Sequence, residues 1–375
     1  PLRESTRLVL LGGSRLPDVL EQPPQPDEIE VSIFGPGLGE CIVVHLGSHE
    51  WLVVDSCVDP VTKNPVALEY FSRIGVDPAS SVVAVVASHW HDDHVRGISE
   101  VLKASKKARF FAASATTREE FHALTLLPPP SSRFSSGVSE LAKTRKIVEE
   151  RRADSGFQMG LAVAGRLLLR RPDLLVNEVW SLSPSDDDTF RGLSHIASLV
   201  APPGGVYRIP SMEPNDLSVV LQLQTGTGSI LLGGDLEHYK RGRSRGWHAV
   251  IDHDVRPQGK ATVFKVAHHG SYNGDCPEIW EHMLEKGVVA LLSPFQRGSV
   301  SLPRQSDVER IRNTCDRAYL TSSKKKSRSS RSPDVHKMIR AATKSFTPQM
   351  RMGHVQVRWD GDDWLVRGTE VAVRL

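Results

Sequence analysis

Residues 81–87 read SVVAVVA, and they run directly into Ser88 and then His89, Trp90, His91, Asp92, Asp93 and His94. A continuous apolar run of that length belongs to a strand covered on both faces. Five ionisable groups in the next six residues are costly to bury unless each finds a partner. The chain therefore needs a covered sheet and, at the end of this strand, a place where imidazoles and carboxylates satisfy one another or a shared ligand.

The surrounding pattern supplies the rest of such a fold. EIEVSIFG, ECIVVHLG and EWLVVDS are short apolar segments punctuated by glycine, as in hairpins. After residue 97, GISEVLKAS reads as a short helix and ARFFAA as a strand. LSVVLQLQTGTGSILLGGD reads as a hairpin, and ATVFKVAHHGS as a strand running into a histidine loop. Hairpins followed by alternating strands and helices predict an α/β domain with mixed sheets. Residues 1–27 form a Pro-rich lead-in and 28–320 the main domain. Residues 115–172 read as an insertion or lid with a charged helix near Glu140–Arg152 and an apolar helical stretch around FQMGLAVAGRLLLRR. Residues 321–333 read as a basic flexible loop, and 334–375 as a C-terminal extension ending in a hairpin that turns at Asp360–Asp363.

The chain has 375 residues, 39% of them hydrophobic and 24% charged, which is ample for a real core. No apolar run is long enough to span a bilayer, and the first residues lack a convincing leader, so a cytoplasmic protein with no membrane partner is expected. The four cysteines form no C-x-x-C pair, which disfavours both a thiolate zinc finger and a disulfide scaffold. A net charge of +3 says little about partners.

His89 and His91, two apart at a strand exit, project to one side and can share a metal ion. Asp93 and His94 can turn towards a second. Other candidate ligands end apolar strands elsewhere: Asp55 in WLVVDS, Asp235 in ILLGGD, and His268 with His269 in FKVAHHGS. Imidazole and carboxylate together suit two divalent ions, zinc first and manganese second. One carboxylate such as Asp235 can bridge ions about 3.5–4 Å apart, and a bridging water then ionises near neutral pH to serve as nucleophile.

His89, His91, Asp93 and His94 together spell H-x-H-x-D-H, and here the chain resembles the metallo-β-lactamase fold hydrolases. GPGLGECIVVHL, NDLSVVLQL…ILLGGDLE and VFKVAHHGS are similar to the branch that contains the soluble domain of the bacterial competence protein ComEC and phosphorylcholine esterases. The resemblance implies a four-layer αββα sandwich and a metal-dependent phosphodiesterase or nuclease using a metal-bridging hydroxide. By it, Asp93, Asp235, His268 and His269 are catalytic, and His89, His91, Asp93, His94, Asp235 and one of His268 and His269 bind metal. Asp55 matches the first family motif and orients the histidine loop. Many members carry a further histidine where this chain has PNDLS, so Asn215 or Asp216 stands in its place.

Basic residues suggest contacts to a polyanion. Arg241, Arg243 and Arg245 follow Asp235, and Lys324, Lys325, Lys326, Arg328 and Arg331 form a Ser-rich basic run. Such groups can track phosphates without reading sequence. Nucleic acid or another phosphodiester is the expected substrate, with partner proteins of a multi-gene system also in view. Two rival readings remain: hydrolysis of a small ester, lactone or phosphocholine-like compound, and a non-catalytic component that keeps the fold for an interface.

Overall fold

In the computed structural model, the described residues are 15–113, 137–152, 157, 159–199, 214–323 and 351–375. The basic run that includes Lys324, Lys325, Lys326, Arg328 and Arg331 lies outside them, as do residues 1–14 and 114–136.

One eight-stranded sheet comprises β1 (Ile29–Phe34), β2 (Cys41–Gly47), β3 (Glu50–Val54), β4 (Val82–Ala87), β5 (Arg109–Ala113), β6 (Met159–Ala162), β16 (His354–Trp359) and β17 (Trp364–Gly368), in the order β17-β16-β1-β2-β3-β4-β5-β6. The other comprises β7 (Arg166–Arg170), β8 (Val176–Ser181), β9 (Leu221–Thr225), β10 (Gly228–Leu232), β11 (Ala261–Lys265), β12 (Leu284–Leu292), β15 (Ala318–Leu320) and β18 (Val373–Arg374), in the order β18-β15-β12-β11-β10-β9-β8-β7. A separate ribbon pairs β13 (Phe295–Arg297) with β14 (Val300–Leu302).

Alternation along the strands assigns the layers. Glu30 accepts a hydrogen bond from Tyr70 of the helix Val66–Arg73 at 2.5 Å, so its neighbours Val31 and Ile33 point the other way, into the space between the sheets. Ile230 and Leu232 of β10 meet them in that shared core. Leu231 instead joins Trp247, Ile279 and Ile311, which come from the helices Gly246–Ile251, Pro277–His282 and Gln305–Thr314. Helix, sheet, sheet, helix is the αββα sandwich expected from the sequence. Each aliphatic side chain buried in the middle layers contributes about 1.5–3 kcal/mol relative to exposure.

Two segments differ from expectation. The apolar stretch after residue 157 is not a helix. Met159–Ala162 pairs in parallel with β5, and Arg166–Arg170 pairs antiparallel with β8. Gly165, at φ +68°, turns the chain between them, so this stretch passes from the edge of one sheet to the edge of the other. The charged helix before it is present, at Gly137–Arg151. The C-terminal hairpin has its expected turn, but it is part of the first sheet, because β16 pairs with β1 along six residues. Among the described residues, no helix is long and apolar enough to cross a membrane.

β3 and β4 are parallel neighbours, and so are β10 and β11. Their C-terminal ends therefore deliver four loops to one end of the sandwich. Val219, just before β9, donates to the Ser88 carbonyl at 2.9 Å and ties the two sheets together there.

Candidate metal centre

The loop after β4 is shaped by Asp55, which follows β3 in a left-handed conformation at φ +61°. Asp55 is 1% exposed and fully engaged. Its carboxylate accepts from Ser88 N at 2.7 Å and Ser88 Oγ at 2.6 Å, and His94 Nδ1 lies 2.7 Å from Oδ2. It thus holds the His94 ring from behind and leaves Nε2 facing forward, the usual arrangement of a ligating imidazole backed by a carboxylate. Ser88 Oγ also lies 2.9 Å from His89 Nδ1, so His89 Nε2 faces the same space.

The GPGLGE loop closes over this turn. Glu40 N donates to the Asp93 carbonyl at 2.8 Å, and a Cβ at Gly39 would stand 2.9 Å from that oxygen and 2.6 Å from Cys57 Cβ. Only glycine permits the approach. Asp235 arrives after Gly233 and Gly234 with its N–H bound by Ser218 Oγ at 2.8 Å; a Cβ at Gly234 would stand 2.5 Å from that same oxygen. His268, His269 and Gly270 are three successive left-handed residues, at φ +49°, +53° and +76°. Backbone held this way is tolerated where the surroundings enforce it, and such strain gathers at functional sites.

These loops converge. His94 Nε2 lies 3.3 Å from Asp235 Oδ2 and 3.6 Å from Asp93 Oδ2. His269 Nε2 lies 3.4 and 3.3 Å from the same two oxygens. One donor from each of Asp93, His94, Asp235 and His269 falls within 4.8 Å of the others, and the same holds for His89, His91 and Asp235. Asp235 belongs to both sets. His89 Nε2 is 3.9 Å from Asp235 Oδ2 and 3.0 Å from His91 Nδ1.

The adjacent histidines separate cleanly. His269 reaches both aspartates and is buried, with Nδ1 3.2 Å from the Ser293 carbonyl. His268 turns aside to Glu237, at 3.3 Å, and to Asn215, whose Nδ2 is 3.3 Å from His268 Nε2. Asn215 also donates to Glu237 at 2.9 Å, which leaves its buried Oδ1 without a hydrogen bond. Asp216 faces elsewhere, bound by Tyr239 and by Arg245 at 2.6 Å. Of that pair, Asn215 is the one with a donor atom to spare.

Electrostatics divide the site. Burial, reinforced by the neighbouring imidazoles, pushes His89 well below the ordinary histidine range, and burial lowers His91. Both are neutral, with lone pairs available. For His94 and His269 burial acts in the same direction, but carboxylates outweigh it: Asp235, Asp55 and Asp93 raise His94 far above its usual range, and Asp235 with Asp93 and Glu40 raises His269 to about 9. Asp93 and Asp235 go down despite burial, because those imidazoles face them. Two protonated imidazoles thus supply the positive charge that a divalent cation would bring to the same carboxylates. His94 Nε2 and His269 Nε2 are buried without a well-formed hydrogen bond, as expected of atoms placed for a ligand. The residues fit a pair of divalent cations.

Glu40 and Lys265 were not anticipated as site residues. Lys265 Nζ, fully buried, donates to the Gly234 carbonyl at 2.7 Å, forms an ion pair with Glu40 Oε1 at 2.8 Å, and lies 3.5 Å from Asp235 Oδ1. Glu40 also accepts from the Ser293 hydroxyl. A lysine inside the apolar strand ATVFK was the available signal, since burying it requires a partner.

The arginines after Asp235 are placed differently from one another. Arg241 is exposed. Arg243 forms ion pairs with Asp252 and Glu278 at 2.6 and 2.9 Å, and Arg245 with Asp188 and Asp216 at 2.9 and 2.6 Å. Arg245 also lines a cavity of about 630 Å³ with Trp90, Phe190, Arg191, His195 and Asp216. Trp90 lies between His89 and His91 in the chain, and Asp216 follows Asn215.

No family model matches the chain. Among solved structures it is similar to the metallo-beta-lactamase fold protein YhfI from Bacillus subtilis, at 12% identity and a TM-score of 0.40, covering 78% of this chain and 95% of that one. A metallo-beta-lactamase from Cronobacter sakazakii gives 12% identity and a TM-score of 0.34 over 64% and 78% of the two chains. AidC, a dizinc quorum-quenching lactonase, gives 13% and 0.31 over 53% and 56%. A curated relative, glutamate-1-semialdehyde 2,1-aminomutase of Methanocella arvoryzae, is 27% identical over 154 residues. The match covers 34% of this chain, which spans about a third of that relative's length.

Proposed function

We propose that this chain is a metal-dependent hydrolase of the metallo-β-lactamase kind, acting on phosphodiesters and belonging with the ComEC-like branch. The observation that carries the reading is Asp235, whose carboxylate belongs to both donor sets. His89, His91 and Asn215 would hold one cation; Asp93, His94 and His269 would hold the other; Asp235 would touch both. Zinc fits this mixture of imidazole and carboxylate best, with manganese as the substitute. A bound pair of divalent cations supplies Lewis acidity toward a phosphoryl oxygen and acidifies water to near neutral pH.

The chain's own groups do the rest. Asp55 and Ser88 fix the two imidazole orientations, and Lys265 with Glu40 steadies Asp235. His268, lowered by burial and therefore neutral, stands at the edge of the centre, where its ring would donate a hydrogen bond to a phosphoryl oxygen rather than a proton. Trp90 and Phe190 present apolar surface beside the cavity, and that surface favours a second reading, a small ester or lactone.

One assay separates the two. The metal-depleted chain is reloaded with Zn²⁺, Mn²⁺ or Mg²⁺ and offered plasmid DNA, bis(p-nitrophenyl) phosphate and a lactone. Metal-restored phosphodiester cleavage supports the first reading. Turnover of the lactone alone selects the second, and no turnover of any substrate by a fully loaded chain refutes both.

A further inference from the structure

A second group of ligand-type side chains lies on the outer helical layer. His238 is in the loop three residues beyond Asp235, His248 is on the helix Gly246–Ile251, and Cys276 immediately precedes the helix Pro277–His282. One donor atom from each lies within 4.8 Å of the other two. The imidazole rings meet edge to face with centroids 4.8 Å apart. Cys276 is a free thiol, 1% exposed. His248 Nδ1 is buried with no hydrogen-bond partner, while Nε2 lies 3.2 Å from Glu278 Oε1. Glu278 is fixed in turn by Arg243, at 2.9 and 3.2 Å. One ring nitrogen left open and the other held by an anchored carboxylate is how ligating histidines are oriented. Simple packing of two imidazoles and a thiol gives no reason to leave a buried nitrogen unpaired.

We propose that His238, His248 and Cys276 form a further metal site that takes zinc, distinct from the hydrolytic centre. Two imidazoles and a thiolate are zinc ligands, with a fourth position left for water. At zinc's usual bond lengths tetrahedral donors stand about 3.3–3.6 Å apart, so the three need to close by no more than about 1.5 Å. Burial raises the free thiol to about 11, and cation uptake releases that proton. The bound ion joins the loop that follows Asp235 and Glu237 to two helices, so it braces the backbone behind the hydrolytic centre without touching substrate.

The test is cobalt titration of the metal-depleted full chain, followed by near-ultraviolet absorption. None of the donors assigned to the hydrolytic centre is a cysteine, so a thiolate-to-cobalt charge-transfer band reads this site alone. The band is expected in the parent chain and in Asp93→Ala, and is lost in Cys276→Ser and His248→Gln. Zinc content falls by one equivalent per chain in the same two variants. His248→Gln serves if Cys276→Ser fails to fold. A folded parent chain without the band, or a band that persists in Cys276→Ser, overturns the proposal whatever the chain hydrolyses.

Discussion

The two halves of the centre share Asp235 and differ in almost everything else. On one side, His94 and His269 are backed by buried acids: Asp55 lies against His94 at 2.7 Å, and Glu40 is 3.9 Å from His269 Nδ1. On the other, His89 leans on a serine hydroxyl, and Asn215 stands where a further histidine was expected. The first half is anionic and, without metal, holds protons; the second is close to neutral and holds none. Proton affinity therefore tells the halves apart, and so should metal affinity. The acid-backed half is expected to bind its cation tightly, and the Asn215 half more weakly and exchangeably.

The largest effect is expected at the shared ligand. Asp235→Ala should lower metal-supported hydrolysis by about 10³-fold, equivalent to about 4 kcal/mol of lost transition-state stabilisation. It should weaken both cations, whereas Asp93→Ala should weaken only the tight one. Metal titrations of the two variants check this, and equal losses at both halves in Asp93→Ala would erase the distinction. Next comes the support behind the tight half. Asp55→Ala should reduce affinity there by about 10–100-fold, with a smaller loss at the weaker cation through Ser88 and His89. Smaller again, Asn215→His should strengthen the weak half by about tenfold, read as a merging of two binding steps into one.

The pH dependence of the metal-free chain gives the subtlest contrast, because the halves carry opposite signs. His269 sits at about 9 in the folded chain against about 6.5 unfolded. Its contribution is therefore complete below about 6.5 and lost as pH rises through 9; His94 acts in the same direction. His89 and His91 are lowered, so they remove stability as pH falls below about 6.5. Denaturant melts across pH 5–10 should show greatest metal-free stability near pH 6.5. The decline on the alkaline side should vanish with metal bound, since His269 then carries no proton to lose.

Much of this site is legible in sequence because each ligand sits where an apolar run stops. Ala87, Leu232 and Lys265 close their strands, and His89, Asp235 and His269 follow within four residues. What resists reading is any choice made by backbone direction. His268 and His269 are neighbours of one type, and only consecutive left-handed residues aim one at Asp235 and the other at Glu237. Asp216 is the more obvious ligand by chemistry, yet Arg245 and Tyr239 claim it and Asn215 keeps the spare oxygen. The Glu40–Lys265 pair joins residues 225 apart, so neither implies the other locally. Residues 157–171 mislead for a related reason: their leucines suit a helix as well as an edge strand, and pairing with β5 and β8 decides.

Anomalous diffraction from crystals grown with zinc tests the central claim most directly. Two peaks flanking the Asp235 carboxylate are expected, one against His89 and His91 and the other against Asp93, His94 and His269. Well-ordered density for those side chains with no peak beside Asp235 would contradict the account.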